Sequence, residues 1–274
     1  MKVEANAKVN FTLEVFGKRA DGYHALRSVV MPISLSDTLD IEVTDDGSIA
    51  SDTGYEDDLC VKAARVLRSD CAKGARISVK KRIPAGGGLG GGSADAAAVL
   101  RALNDLWEVG LSREELAEVG AQVGSDVPAL VMGGPVIMEG RGEKVEGLRL
   151  KTKDLNLVLV NPGVHSSTKE VYAACEARPL GGENLTAKMV AALKSGDLER
   201  IAAALMNDLQ PPAARRHPEI ADALVSLRTA GVVGAMMSGS GSSVFGLVEN
   251  ESAAKRISRE LNDKGLQAWP VQTL

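Results

Sequence analysis

From Pro84 to Asp95 the chain reads Pro-Ala-Gly-Gly-Gly-Leu-Gly-Gly-Gly-Ser-Ala-Asp, with six glycines in seven residues. A backbone with so few Cβ atoms can take φ > 0 and approach a ligand closely. Ala96, Leu100, Leu103 and Trp107 follow at spacings of four, three and four, which predicts a helix from Ser93 to Trp107. Ahead of the loop, Ile77, Val79, Lys81 and Ile83 alternate with polar partners as a strand does, and Pro84 ends it. A helix that opens from a glycine loop presents unpaired N–H groups and the positive end of its dipole. That is an anion site, and phosphate is the anion it suits.

Other readings of the loop fit less well. A Walker A loop needs a Lys-Ser/Thr pair after the glycines, and Gly91-Gly92 is followed by Ser93-Ala94. A dinucleotide fingerprint is met by any glycine run, and it lacks here the second strand and acidic ribose ligand that should follow. A flexible linker does not have a regular strand and helix pressed against its two ends.

Two further stretches carry chemistry. Val3, Ala5, Ala7, Val9, Phe11, Leu13 and Val15 alternate with polar residues, so Lys8 and Asn10 share one face of a strand or strand pair. The plain alternative is a half-buried strand with a wet face. Asp126, in Gly124-Ser125-Asp126-Val127-Pro128, follows a helix that Ser112 and Glu115 open as a capping box. It can serve as a general base or simply as a helix N-cap.

The remaining elements have to position these groups. The sequence predicts a loop from Gly17 to His24, β-like sequence over Val29–Val43 broken at Ser36-Asp37, and a helix over Leu59–Arg68. A hairpin is expected around Gly140-Arg141-Gly142, and a buried strand over Leu155–Val160. Helices follow at Thr168–Ala177, at Leu185–Met206 with a split at Ser195-Gly196-Asp197, at Pro218–Thr229 and at Ser252–Lys264. Strands close the pattern at Val232–Met237, Val244–Val248 and Gln267–Val271. Strands and helices mix without regular alternation, which indicates an α+β fold in two lobes.

The chain has 274 residues, 45% hydrophobic and 25% charged, with 3% aromatic and a net charge of −4. This is a globular composition with room for one large or two modest domains. The acidic balance and the lack of Lys/Arg clusters argue against a nucleic-acid partner. No apolar run approaches membrane-spanning length. Cys60, Cys71 and Cys175 have no metal-ligand spacing and read as reduced thiols of a cytoplasmic protein.

Three separated stretches, Ala5–Asn10, Pro84–Ala96 and Met237–Gly241, resemble in order the three motifs of the GHMP kinases. Arg19-Ala20-Asp21-Gly22-Tyr23-His24, Gly124–Pro128 and Asn207-Asp208-Leu209 are similar, within that superfamily, to the 4-diphosphocytidyl-2-C-methyl-D-erythritol kinase family. The resemblance implies a ribosomal-protein-S5-like ATP-binding lobe over residues 1–153, a ferredoxin-like lobe over 154–274, and a cleft between them. It implies ATP and Mg²⁺ as co-substrates. The acceptor would be a small molecule with a cytidine diphosphate moiety, phosphorylated on its 2-hydroxyl in the non-mevalonate isoprenoid pathway. By motif position, Pro84, Gly86, Gly87, Gly88, Leu89, Gly90, Gly91, Gly92 and Ser93 would hold the ATP phosphates, with Ser93 near the metal. Asp126 would be the base and Lys8 its electrostatic partner, with Asn10 positioning the hydroxyl. Tyr23, His24 and Tyr172 would hold cytosine, and Thr168, Ser238 and Gly239 would complete the acceptor side. Asp58 stands where the family commonly has an Asn near the adenine, and a carboxylate cannot donate to a ring nitrogen.

Two alternatives stay open on sequence. One is a GHMP kinase for another alcohol, of the homoserine or mevalonate type. A substrate without a base would leave Tyr23 and His24 without a use. The other is a nucleotide-binding protein without activity, against which Lys8 and Asp126 both speak.

Overall fold

The computed structural model describes residues 1–68, 73–150, 154–179 and 182–274. Cys71 and residues 151–153, beside the expected lobe boundary, lie outside them. The N-terminal alternation becomes two strands, β1 (Lys2–Asn10) and β2 (Thr12–Lys18), both antiparallel to the long β3 (His24–Thr44). Then come β4 (Ile49–Ser51), α1 (Leu59–Leu67), β5 (Gly74–Lys80), α2 (Gly91–Leu106), α3 (Arg113–Gly120), α4 (Val127–Met132), β6 (Val136–Gly140) and β7 (Lys144–Gly147). The second half runs β8 (Asn156–Asn161), α5 (Thr168–Ala173), α6 (Leu185–Ser195), α7 (Leu198–Ala204), β9 (Met206–Asn207), α8 (Gln210–Arg216) and α9 (Pro218–Thr229). It ends with β10 (Gly234–Met237), β11 (Val244–Val248), α10 (Glu251–Asp263) and β12 (Gln267–Gln272).

The strands form two sheets. β1 to β7 lie in an eight-stranded sheet that β9 joins by running parallel to β2. The other is four-stranded, in the order β10-β11-β8-β12. Counted along the chain from β8, that antiparallel order is the one a ferredoxin-like lobe has. The α+β fold expected from the sequence is the fold observed.

Some local expectations change. β3 is one unbroken strand of 21 residues. Ser36 and Asp37 do not interrupt it, because the Asp37 carboxylate is buried and accepts hydrogen bonds from the Arg82 and Ile83 N–H groups. The same bonds end β5 at Lys80, since those two N–H groups leave the ladder for a side chain. α5 stops at Ala173, short of Ala177. Sequence reading passed over β4, α4, β9 and α8. The first and third are two or three residues long, and α4 and α8 carry proline in their first turn, where it is tolerated but reads as a breaker.

Apolar packing runs across both sheets. Phe11, between β1 and β2, stacks on Phe245 of β11 with ring centroids 5.5 Å apart. Leu157, Leu159 and Phe245 share one core cluster with Ala5, Val9 and α2. This continuous core fixes the sheets around a cleft of about 1200 Å³.

Candidate active site

The glycine loop lies along this cleft and is held by both sheets. Leu89, its one large side chain, is buried, and its carbonyl accepts from the Lys8 N–H at 3.0 Å. The Ser238 hydroxyl donates to the Gly88 carbonyl at 3.0 Å, and the Ser243 N–H to the Gly87 carbonyl, also at 3.0 Å. Gly88 takes φ +74°, and a Cβ there would stand 2.2 Å from the Ser238 carbonyl oxygen. Only glycine fits that approach.

The start of α2 is open. Gly90 is its N-cap, with φ +70°, and supplies no side-chain hydrogen bond; the first turn holds no acidic residue. In contrast, Asp58, Ser112, Asn184, Asp197 and Asn250 cap α1, α3, α6, α7 and α10 with their side chains. The free N–H groups of a 16-residue helix therefore face the cleft beside the half-buried Ser93.

Lys8 and Asn10 meet at the mouth of this loop. The polar face of the first strands is not wet: Lys8, Asn10, Thr12 and Glu14 are all buried. The Lys8 ammonium, 3% exposed, donates to Asn10 Oδ1 at 2.7 Å and lies 3.5 Å from Asp126 Oδ2. Asn10 Nδ2 donates in turn to the Ser28 hydroxyl. Asp126 does occupy the N-cap position of α4, but its carboxylate makes no capping bond and points toward Lys8. Gly239 closes the group from the second sheet: a Cβ on it would lie 3.4 Å from Lys8 Nζ and 3.5 Å from Asn10 Oδ1. The structure thus brings Lys8, Asn10, Asp126, Gly90 and Gly239 to one point.

Tyr23, His24 and Tyr172 line one end of the cleft. His24 and Tyr172 have ring centroids 5.6 Å apart with a tilt of 33°. Burial, and then the charge of Lys18, lower the His24 pKa, which favours the neutral ring. Burial raises the Tyr172 hydroxyl, and the charge of Asp126 raises it further. Tyr23 is exposed, and the Arg141 guanidinium lies 5.5 Å from its ring centroid. Arg141, from the β6–β7 turn, belongs to the site and was not singled out from the sequence; its place between two glycines was the available signal. Thr168 and Ser240 share a hydrogen bond of 2.8 Å between their hydroxyls, which fixes α5 against the Ser238–Gly241 turn. Asn207 pins that turn from β9, donating to the Met237 and Gly239 carbonyls at 2.9 and 2.8 Å.

The other end of the cleft is acidic. Asp58 Oδ1 accepts from the Cys60 and Val61 N–H groups, and Oδ2 accepts from the Thr53 hydroxyl. Its carboxylate is therefore committed to starting α1. Next to it, Lys81 Nζ sits 2.5 Å from Asp37 Oδ2 and 2.6 Å from Asp95 Oδ2. Both carboxylates are buried and one ammonium serves the two, and burial pushes Asp95 up to about 7.

The residues present suit a hard cation. Asp95 is tied to Lys81 and Asp126 to Lys8, which leaves the Ser93 hydroxyl as a neutral oxygen donor beside the open helix end. Mg²⁺ takes one or two protein oxygens and completes its shell with phosphate oxygens and water, so this donor set fits it.

Residues 58–134 match the GHMP kinases N terminal domain, and residues 189–267 match GHMP kinases C terminal. Fold and site together define an ATP-dependent small-molecule kinase. A 4-diphosphocytidyl-2-C-methyl-D-erythritol kinase from Symbiobacterium thermophilum is 41% identical over 100% of both chains. One from Pelotomaculum thermopropionicum is 42% identical over 92% of this chain and 91% of the relative. A solved 4-(cytidine 5'-diphospho)-2C-methyl-D-erythritol kinase structure superposes with a TM-score of 0.86 at 34% identity, covering 100% of this chain and 99% of that one. The chain belongs to the GHMP kinases and, within them, to the 4-diphosphocytidyl-2-C-methyl-D-erythritol kinase family. Homoserine kinase from Cytophaga hutchinsonii, at 20% identity and a TM-score of 0.78, shares the fold.

Proposed function

We propose that this chain transfers the γ-phosphoryl group of ATP to the 2-hydroxyl of 4-diphosphocytidyl-2-C-methyl-D-erythritol, in the non-mevalonate isoprenoid pathway. The observation that carries the assignment of roles is the Lys8 ammonium, buried between Asn10 and Asp126 at the mouth of the glycine loop. The acceptor hydroxyl binds between Asn10 and Asp126. Asp126 takes its proton as the oxygen–phosphorus bond forms, and ADP leaves as the bond to the β-phosphate oxygen breaks. Lys8 places positive charge beside Asp126 and the reacting oxygen, where preorganised electrostatics contribute most. The N–H groups of Gly90 to Ser93 receive the phosphate oxygens, and Ser238 and Gly239 hold that loop against Lys8. Mg²⁺, when bound at Ser93 and the phosphates, supplies neutralising charge on the transferred group. Residues 1–153 form the ATP-binding lobe and residues 154–274 the second lobe in this reading.

At the acceptor end, Tyr23 stacks on the cytosine, with Tyr172 behind His24. The neutral imidazole can both donate and accept, as the base edge requires. The test is a turnover panel with the cytidyl-methylerythritol substrate, homoserine, mevalonate and phosphomevalonate. Only the first should turn over efficiently, and CDP should compete with it better than UDP does. Preference for any of the other three would overturn the cytidine assignment.

A further inference from the structure

The chain has three tyrosines, and all three line the cleft, whereas Phe11, Phe245 and Trp107 are in the core. Tyr23 and Tyr172 stand at the acceptor end. Tyr55 stands at the other, on the loop before α1, and is 59% exposed. That loop is fixed. Asp52 Oδ1 accepts from the Val79 N–H at 2.8 Å, the Thr53 hydroxyl donates to Asp58 Oδ2 at 2.6 Å, and Tyr55 N–H donates back to the Thr53 hydroxyl at 3.4 Å.

The glycine loop gives the cleft a direction. A Cβ on Gly90 would touch Lys8, one on Gly91 would touch Ile83 and approach Lys81 Nζ at 3.6 Å, and one on Gly92 would meet Leu59 at 3.6 Å. Successive residues of the loop thus lead from the reacting end, at Lys8, to the first residue of α1. A donor whose terminal phosphate lies at Lys8 must carry its nucleoside toward α1, because Tyr23, His24 and Tyr172 fill the opposite end. Along that path Asp58 has both oxygens in use, and Lys81 is held by two carboxylates. The free aromatic face there is that of Tyr55.

We propose that Tyr55 is a donor-binding residue whose ring stacks on the nucleobase of ATP. The inference rests on the reading that the glycine loop holds the ATP phosphates. A large aromatic held exposed on a pinned loop is preorganised for such a contact, and its ordering entropy is already spent. Stacking on a ring tolerates any base. Discrimination among purine nucleotides would then be weak at Asp58 and Lys81, since both are satisfied within the protein.

The experiment is calorimetric titration of ADP and of inorganic tripolyphosphate, each with Mg²⁺, into wild type, Tyr55→Ala and Tyr55→Phe. Tyr55→Ala should weaken ADP roughly 5- to 150-fold, the fold-change of a base–aromatic stack of about 1–3 kcal/mol. Tripolyphosphate should bind all three proteins alike, and Tyr55→Phe should bind ADP as wild type does. Wild-type ADP affinity in Tyr55→Ala would overturn the proposal while leaving the phosphate loop in place. Equal weakening of ADP and tripolyphosphate would overturn it too, by showing a disturbed loop. A wild-type protein that binds neither ligand would remove the phosphate-loop reading itself. The half-exposed loop position makes misfolding of Tyr55→Ala a minor concern, and an unchanged acceptor KM checks it.

Discussion

The Lys8–Asp126 pair sets the sharpest test of the site. Replacing Asp126 with Asn removes the proton acceptor while keeping shape, and should lower kcat by roughly 10²–10⁴ with small changes in either KM. Lys8→Met keeps the volume of a buried side chain and removes its charge, and should lower kcat by about 10²–10³. The double variant carries the decisive information. At the 3.5 Å separation of Lys8 Nζ and Asp126 Oδ2, two unit charges attract by about 5 kcal/mol at an effective dielectric near 20. Asp126 is 33% exposed on its side chain, so solvent reduces the coupling to about 1–3 kcal/mol. Once either partner is gone, the other has little left to contribute. The double variant should therefore fall within about tenfold of the worse single variant, not to the product of the two losses. Steady-state ADP release measures all four proteins, with circular dichroism confirming their folds. An Asp126→Asn enzyme within a few-fold of wild type, or losses that simply multiply, would refute the shared role.

Gly88→Ala should lower Tm by roughly 5–15 °C, because a left-handed Ala costs about 1–2 kcal/mol and its Cβ overlaps a backbone oxygen that cannot swing away. Gly92→Ala, whose nearest neighbour would be Leu59 at 3.6 Å, should leave Tm in place, and equal Tm losses in scanning fluorimetry would contradict the packing described. Asp95→Asn tests the acidic end. With its carboxyl pushed up to about 7, wild type holds a proton that the unfolded chain has released above about pH 4, so its stability should fall as pH rises from about 4 to 7, by up to about 1.4 kcal/mol per unit. Asp95→Asn should lose that slope in urea titrations at pH 5, 6 and 7, and an unchanged slope would place the proton elsewhere.

The elements that sequence made legible are those whose pattern is local. The capping box at Ser112 and Glu115 forms as expected, and the glycine run opens a helix close to the expected position. What the sequence hid is decided by partners far along the chain. Ser36-Asp37 looks like a strand breaker until Asp37 is seen receiving the N–H groups of Arg82 and Ile83. The polar face of β1 and β2 looks solvated until α6, Ser28 and Asp126 are seen against it. Glu14, for instance, is fully buried because it accepts from the Leu185 and Thr186 N–H groups at the start of α6. Asp58 was legible as a cleft residue, but its two oxygens are used locally, which no motif match reveals.

The site residues show the same division more sharply. Lys8, Asn10, the glycine loop and Asp126 could each be named from their own stretch, yet each had a plain structural alternative. Asp126 illustrates how geometry decides between them. Its backbone does sit at an N-cap, so the structural reading is correct about position. Its side chain nonetheless leaves the helix uncapped and faces an ammonium buried on β1. A carboxylate that gives up a capping bond worth about 1 kcal/mol must find a stronger interaction elsewhere. The glycine loop repeats the pattern. α2 is an uncapped helix facing the same cleft, and its loop is braced by Ser238, 150 residues away. Among the described residues, α1, α3, α6, α7 and α10 are capped by side chains, whereas α2 starts on a glycine that offers none. The open start of α2, beside one buried lysine and the Asp126 carboxylate, is most simply satisfied by the phosphate that the reaction brings to the acceptor hydroxyl.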